Sequence, residues 1–184
     1  VYRQGIDNPE QLINGFPSEQ DELFQYDALM IGTQEAASFS PEQQELIKRY
    51  VGDRGGTLMF LGGRASLSDG DWQNTAVNDL LPVVLPRQAG TFVRQQVSVR
   101  PTTLGYQSDW LRFASDDQTN QERWQALPNI GDYQHIGRAK PGAVTLLEAL
   151  VGNEAIPLLV TQRYGRGKVM VLATGGTWRW QMQL

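Results

Sequence analysis

The sequence contains no cysteine and only one histidine, His135. The missing thiols exclude disulfides, thiolate metal sites and cysteine nucleophiles together. Lysine and arginine total 16 against 20 acidic residues, which gives a net charge of −4. Nucleic-acid binders carry a basic surplus, so we expect no nucleic-acid partner. No apolar run reaches the roughly 20 residues of a membrane-spanning helix. We also expect no cofactor and no metal, since no dinucleotide, Walker or metal-ligand motif is present.

The length of 184 residues suits one domain with a sizeable core, and we expect a single domain over residues 1–184. The chain begins with Val1 rather than Met, so we expect it to be a fragment of a longer protein. The absence of targeting signals therefore leaves its localisation unknown, and nothing in the composition indicates an oligomeric state.

The stretch 54–72 organises the rest of the chain. Its apolar run, 57–61, lies between two glycine pairs and is typical of a central strand buried on both faces of a parallel sheet. Gly62 and Gly63 end this strand, and a polar loop follows. Ligands in open α/β sheets lie outside the carboxyl ends of the strands, so a binding site is predicted here.

A βαβ unit is predicted around this strand. The apolar block in 26–32 predicts a second buried parallel strand. The stretch 40–53 predicts the connecting helix, with Ser40 as N-cap, Pro41 in the first turn and Gln43 completing a capping box. Three later runs, 143–150, 156–164 and 168–174, predict an antiparallel meander joined to the parallel sheet.

The remaining segments carry weaker patterns. We predict short helices at 9–13 and 17–24, and a third around Val77, Leu80 and Leu81. Alternation over 91–99 predicts a strand with one wet face. The polar tract 115–121 is predicted to be a surface loop inside an irregular region, 105–141, which apolar residues fasten to the body. These anchors are Trp110, Leu111, Phe113, Trp124 and Leu127.

Several short motifs, taken in order, resemble a known family. They are GFP at 15–17, ELFQYDALMIG at 22–32, FSPEQ at 39–43, RGG at 54–56, LGGR at 61–64, LLPV at 80–83, KPGA at 140–143, RYGRG at 163–167 and TWRW at 177–180. Together they resemble the class I glutamine amidotransferase-like domains of large membrane-anchored bacterial proteins, some of which also carry von Willebrand A-type domains. The likeness runs from about Gly15 to Trp180 and is weakest over 105–137.

The resemblance implies an α/β, flavodoxin-like fold: a mostly parallel central sheet with helices on both faces and an antiparallel C-terminal extension. It also implies where amidotransferase chemistry would lie. The nucleophilic cysteine would stand on the turn 61–65, and its His and Glu partners would follow the late strand at 174–176. None of the three is present. Because covalent catalysis needs a nucleophile and a base, we expect no glutamine hydrolysis.

The leading hypothesis is therefore a non-catalytic module that senses a ligand or binds a protein, within a bacterial membrane-associated protein. Membrane contact would come only through other segments of the parent chain. The crevice, if used, would be lined by Gly32, Thr33, Glu35, Gly62, Gly63, Arg64, Ser66, Asp71 and Trp72. One alternative is a hydrolase of another type, acting on a sugar or an amide through Asp or Ser residues of the loop 63–71. Another is a structural spacer.

Each candidate group also has a simpler interpretation. Arg64 with the glycines would bind an anion, or would instead pair with Asp69 or Asp71. A serine triad of Ser66 or Ser68 with Asp69 and His135 is disfavoured, because no G-x-S-x-G elbow is present. Three carboxylates of the loop region, Asp69, Asp71 and Asp79, are too few for a calcium loop.

Trp178 and Trp180 alternate along the chain and would share one face of a strand end or turn. That face would form a rim for sugar or protein contacts, or would pack under a helix of the parent chain. The second interpretation is favoured for this pair. The aromatic residues between Trp110 and Trp124 are likewise expected to anchor their loop before they serve as a binding lip.

Overall fold

The computed structural model describes residues 15–182. The predicted helix at 9–13 lies outside the described residues. The described part contains five α-helices and ten strands, with short 3₁₀ segments and one π-type turn between them. The helices are α1 Gln20–Leu23, α2 Pro41–Arg49, α3 Thr103–Tyr106, α4 Asp117–Ala126 and α5 Trp178–Met182. The strands are β1 Ala28–Ile31, β2 Thr57–Leu61, β3 Val83–Val84, β4 Phe92–Val93, β5 Ser98–Pro101, β6 Tyr133–Gln134, β7 Arg138–Ala139, β8 Val144–Val151, β9 Glu154–Tyr164 and β10 Gly167–Leu172.

Six of the strands form one sheet in the order β1-β2-β10-β9-β8-β5. Strands β1 and β10 both pair with β2 in parallel, so that Leu58 is in register with Leu29 on one side and Val169 on the other. The pairs β10–β9, β9–β8 and β8–β5 are antiparallel. The carboxyl ends of β1, β2 and β10 therefore meet at one edge of the sheet.

Helix α2 connects β1 to β2, and its first turn follows from the sequence. The N–H of Gln43 donates to Ser40 Oγ at 3.2 Å, and the N–H of Ser40 donates to Gln43 Oε1 at 3.0 Å. This reciprocal box satisfies two N–H groups that a helix start leaves without partners. After Arg49 the chain widens into a π-type turn, Tyr50–Arg54, which ends at Gly55 with φ +88°. The predicted helix 40–53 is therefore α-helical only to Arg49.

The core includes residues of α2 and of the parallel strands and continues into β8 and β9. Leu58 and Phe60 of β2 are fully buried, as are Ile47 and Val51 at the end of the helix. Trp72, from the loop after β2, is also fully buried and packs edge-on against Phe60 with ring centroids 4.8 Å apart. The loop that follows the central strand is thus anchored in the core by its largest side chain.

The predicted α/β, flavodoxin-like fold is confirmed, including the βαβ unit and the antiparallel meander. Strand β10 has a second role that the meander prediction missed, because it also pairs in parallel with β2. The second buried parallel strand predicted in 26–32 does pair in parallel, as β1, but the prediction of its burial is wrong. β1 is one of the two outer strands of the described sheet, and the Met30 side chain is 61% exposed.

Four local predictions differ from the structure. The polar tract 115–121 is not a loop but contains the start of α4, which Asp116 caps by accepting from Thr119 N at 2.8 Å. An apolar stripe, the usual helix signal, is absent there because little of α4 beyond Trp124 is buried. The strand predicted over 91–99 is split into β4 and β5. The helices predicted at 17–24 and near Val77 shorten to α1 and to a 3₁₀ turn, Ala76–Asp79.

Two of the predicted apolar anchors of the irregular region, Trp124 and Trp110, have different roles. Trp124 is buried, donates its indole N–H to Leu111 O at 2.9 Å and packs against Phe113. Trp110 is about half exposed and packs under the Lys168 ammonium, 5.0 Å from the ring centroid. Trp124 therefore fastens the segment to the body, whereas Trp110 lies over β10 at the surface.

Candidate functional site

The turn after β2 is the centre of the candidate site. Gly62 N donates to Leu172 O at 2.7 Å, which holds the turn against the end of β10. A Cβ on Gly62 would lie 2.5 Å from the backbone carbon of Ala173, closer than any real contact. Only glycine fits this approach of two backbones. Gly62 and Gly63 therefore leave a central parallel strand at the sheet edge where ligands bind in open α/β folds.

A buried glutamine fills the inside of this turn. Gln134, on β6, is fully buried, and its Oε1 accepts from Gly63 N at 3.1 Å. Its Nε2 donates to Ser66 O at 2.8 Å and to Thr91 Oγ1 at 3.0 Å. Every polar atom of the amide therefore has a protein partner. The Gly63 N–H, which would be the natural donor to a bound anion at this position, is already occupied.

Asp69 organises the neighbouring loop. Its carboxylate accepts from Thr91 Oγ1 at 2.8 Å, Phe92 N at 2.9 Å and Thr91 N at 3.2 Å, and also from Gly90 N. Gln134 Nε2 adds a longer contact at 3.2 Å. Burial alone would raise the pKa of Asp69, but the hydrogen bonds from Thr91, Gly90 and Phe92 outweigh it and hold the pKa below its ordinary value. The group is a structural carboxylate that fastens segment 90–92 to the turn.

Two arginines line an open depression beside this network. Arg64 and Arg94 are exposed and border it with Asp69, Gly90 and Phe92, around a volume of about 610 Å³. Neither arginine forms an ion pair within 4.0 Å with any acid in residues 15–182. The interpretation that Arg64 pairs with Asp69 or Asp71 therefore does not describe this structure. Two guanidinium groups remain available to an anion.

Other predicted crevice residues lie in or under the wall. Ser66 is fully buried, and its hydroxyl donates to Leu61 O at 2.8 Å. Trp72 donates its indole N–H to Gln34 O at 2.8 Å and lies in the core. Asp71 is exposed and has φ +60°, and its Oδ1 accepts from the side chains of Gln73 and Asn74 at 3.0 and 2.6 Å.

The loop after β1 forms the opposite side of the turn. Gly32 is half-buried, whereas Thr33 and Glu35 are exposed. A Cβ on Gly63 would meet Thr33 Oγ1 at 2.1 Å, so these two loops are in contact. The structure thus brings Gly32, Thr33, Gly62, Gly63 and Arg64 to one edge of the sheet.

The disfavoured serine triad is not assembled. His135 is exposed, its backbone N–H donates to Thr91 O, and its ring packs edge-on against Tyr133. The Ser68 hydroxyl is buried without a partner among the described residues. Asp69, which would orient the histidine, is bound instead to the segment 90–92 described above. The three members therefore have separate environments.

The tryptophans near the C-terminus do not share a face. They lie on α5, not on a strand end, and a separation of two residues places them on different sides of a helix. Trp180 donates its indole N–H to Pro128 O at 3.0 Å and packs edge-on against Trp124. Trp178 is 55% exposed and packs against Arg179.

Sequence reasoning missed Gln134, Thr91 and Arg94. Gln134 and Thr91 lie 71 and 28 positions after Gly63, and neither stands in a motif. A buried glutamine on a two-residue strand leaves no periodic signal. Thr91 and Arg94 flank β4, and Gln134 is part of β6, so these residues reach the turn because β4 and β6 pair.

A parallel β1-β2-β10 core with a glycine turn after the central strand is the arrangement of a flavodoxin-like α/β fold, in agreement with a glutamine amidotransferase-like domain. A sequence profile described as "Putative glutamine amidotransferase" matches residues 8–183, so the chain belongs to this family. No curated protein matches the sequence. No helix within residues 15–182 combines the length and the apolar character needed to cross a membrane.

Solved structures agree with this fold. A cytoplasmic protein of Salmonella typhimurium is 24% identical with a TM-score of 0.70, over 87% of this chain and 65% of that one. A second, from Salmonella typhimurium LT2, is 23% identical with a TM-score of 0.69, over 92% and 69%. A β-galactosidase from Rahnella sp. R3 is 15% identical with a TM-score of 0.54, over 84% of this chain but only 21% of that one. The chain thus spans about two thirds of the Salmonella proteins, and at these identities the likeness concerns the fold alone.

Proposed function

We propose that this domain is a non-catalytic glutamine amidotransferase-like module that binds an anionic group of a ligand or partner at the turn after β2. The observation that carries the proposal is the Gln134 amide inside the turn. Its Oε1 accepts from Gly63 N at 3.1 Å, so the Gly63 N–H is not available to a substrate. The nucleophile, the histidine and the glutamate of the amidotransferase reaction are also absent from the corresponding positions.

The binding half of the proposal rests on Arg64 and Arg94. Two exposed guanidinium groups without an ion pair among the described acids border one open depression. Asp69, the acid that the described residues contribute to the lining, is held by the donors of segment 90–92 and does not neutralise the two arginines. Arginine binds carboxylates and phosphates through two parallel N–H groups, so a carboxylate or phosphate group suits this position.

The alternative function, a hydrolase using residues of the loop 63–71, receives less support. A catalytic acid at neutral pH needs a raised pKa, whereas the pKa of Asp69 is lowered. Ser66 donates to a main-chain carbonyl of the same turn, so its hydroxyl is not directed at a base. The depression beside them is open rather than deep, which offers little exclusion of water.

A glutaminase assay tests the non-catalytic half. Incubation with glutamine should release no ammonia above a blank, and a Gly63→Cys variant should also release none, because neither His nor Glu stands at 174–176 to activate the new thiol. A functional class I amidotransferase serves as the positive control. Sustained turnover by the wild-type domain would refute this half.

Titration with inorganic phosphate, followed by NMR, tests the binding half. Shifts should centre on the arginine-lined depression and should be lost in an Arg64→Gln/Arg94→Gln double variant. Arg163→Gln, which removes an exposed arginine of β9, is the matched control and should bind as wild type does. Equal binding by all three proteins would contradict the proposed site.

The setting of the module is also part of the proposal. The resemblance described above is to domains of large membrane-anchored bacterial proteins, which supports a parent chain of that kind. Hydrophobic spans in the full reading frame would support this placement, and a reading frame without any would overturn it.

A further inference from the structure

A second cavity lies beyond the loop that follows β2. It shares no lining residue with the arginine-lined depression. It encloses about 610 Å³ between the segment 73–78, the residues after β3 and the residue after β7. Small-molecule sites fall in the same range, about 300–1,000 Å³. Its lining combines three amide side chains, two cations and two aliphatic residues: Gln73, Asn74, Asn78, Arg87, Lys140, Val84 and Leu85.

The charge of this cavity is one-sided. Arg87 and Lys140 line it, and within residues 15–182 no carboxylate does. Lys140 Nζ donates to Asn78 O at 2.8 Å and more weakly to Asp79 O at 3.4 Å, both of which are neutral carbonyls. Two acidic side chains lie near the lining. Asp79 forms its ion pair with Lys48 at 2.9 Å, and Asp71 accepts from the side chains of Gln73 and Asn74. Neither cation of the cavity has an ion pair within 4.0 Å among residues 15–182.

Lys140 has already lost part of its hydration. The side chain is half-buried, and burial lowers its pKa, although the nearby Asp79 carboxylate acts in the opposite direction. A desolvated ammonium with only carbonyl acceptors gains more from an anion than a fully hydrated one does, because the cost of dehydration is already part of the folded state. The cavity thus favours an anion beside the Lys140 ammonium, which forms no ion pair among residues 15–182.

The amides supply the second recognition element. Asn78 is half-buried, and Asn74 and Gln73 extend the polar wall on the same side of the cavity. A primary amide has two donors and one acceptor oxygen, which is the pattern that pairs with hydroxyl groups. Gln73 and Asn74 each donate one N–H to Asp71, so the second N–H of each amide is the one offered to a ligand. Leu85, buried at the cavity wall, provides an apolar surface for a carbon skeleton.

We propose that this cavity is a binding site for a small polyhydroxylated carboxylate, of the sugar-acid class. The carboxylate would lie against Arg87 and Lys140, and its hydroxyl groups would lie along the amides of Asn74 and Asn78. The site is independent of the proposed anion site at Arg64 and Arg94, because the two share no lining residue.

The test uses the whole chain and isothermal titration with D-gluconate, which carries one carboxylate and several hydroxyl groups. Acetate supplies the charge without the hydroxyls, and sorbitol supplies the hydroxyls without the charge. Gluconate should bind saturably, and each comparator should bind about tenfold more weakly or worse, since each lacks one class of contact. No saturation by gluconate up to about 10 mM, or equal binding of acetate, would overturn the proposal.

Variants locate the site and separate it from the other one. Arg87→Gln changes an exposed side chain and should weaken gluconate binding about tenfold without changing the melting temperature. Arg64→Gln should leave gluconate binding unchanged. If Arg64→Gln weakens it and Arg87→Gln does not, gluconate occupies the depression beside the turn, and the present inference fails while the proposed function stands.

Discussion

Replacing Asp69 with asparagine should destabilise the domain by removing one of two acceptor oxygens. In the structure Oδ1 accepts from Gly90 N and Thr91 N, and Oδ2 accepts from Thr91 Oγ1, Phe92 N and, at longer range, Gln134 Nε2. An asparagine that keeps its oxygen at the Oδ2 position would place its NH₂ group against two N–H donors. At least two hydrogen bonds to a charged acceptor are therefore lost.

The magnitude follows from the exposure of those donors. A hydrogen bond to a charged group contributes about 1.5–3 kcal/mol. Gly90 is exposed and its N–H can be satisfied by water, whereas Thr91 is only 3% exposed. We therefore expect a loss of about 2–4 kcal/mol in the free energy of unfolding, which for a chain of this length lowers the melting temperature by about 5–12 °C.

Urea denaturation followed by the fluorescence of the five tryptophans measures this loss. Asp71→Asn is the matched control, since it changes an exposed carboxylate in the same loop, and asparagine tolerates the φ of +60° found there. The control should remain within about 0.5 kcal/mol of wild type. Equal stability of Asp69→Asn and wild type would refute the argument that Asp69 fastens segment 90–92.

The same variant has a defined pH dependence. Because the folded pKa of Asp69 lies below its unfolded value of about 3.9, its ionised form contributes stability above that pH. That contribution is lost as the pH falls through the folded pKa. The difference between wild type and Asp69→Asn should therefore be constant from about pH 5 to 7 and should narrow below about pH 4. A difference that widens in acid would contradict the lowered pKa.

Four further substitutions test the turn. Ser68→Ala should stabilise the domain by about 0.5–1 kcal/mol, because it removes a buried hydroxyl without a partner among the described residues, whereas Ser66→Ala should cost about 1 kcal/mol by leaving a carbonyl without its donor. Chemical denaturation distinguishes these opposite signs. Gly62→Ala should cost about 2–3 kcal/mol or more, because its Cβ meets the backbone of Ala173, while Gly63→Ala should cost less, because its Cβ meets a side-chain oxygen that can rotate away. Similar losses for the two glycine variants, measured by thermal melts, would show that the backbone contact is not what limits the turn.

Some residues of the candidate site could be predicted from the sequence, and others could not. Gly62 and Gly63 could be predicted because they directly follow an apolar run, and a chain must leave a buried strand through a turn. Arg64 could be predicted for the same reason. Gln134, Thr91 and Arg94 could not, since they enter the site through the pairing of β4 with β6.

Local sequence by itself determined the secondary-structure elements that are stabilised by interactions between residues close together in the chain. The capping box at Ser40, the apolar run of β2 and the glycines after it specify a strand, a helix and a turn without distant contacts. Tertiary structure decided the rest: that β1 lies at one outer side of the described sheet, that α4 forms from a polar tract, and that an amide from 71 residues away fills the turn. Burial and hydrogen-bond partners at such separations depend on which strands come to lie side by side, and a single sequence does not carry that information in its spacing.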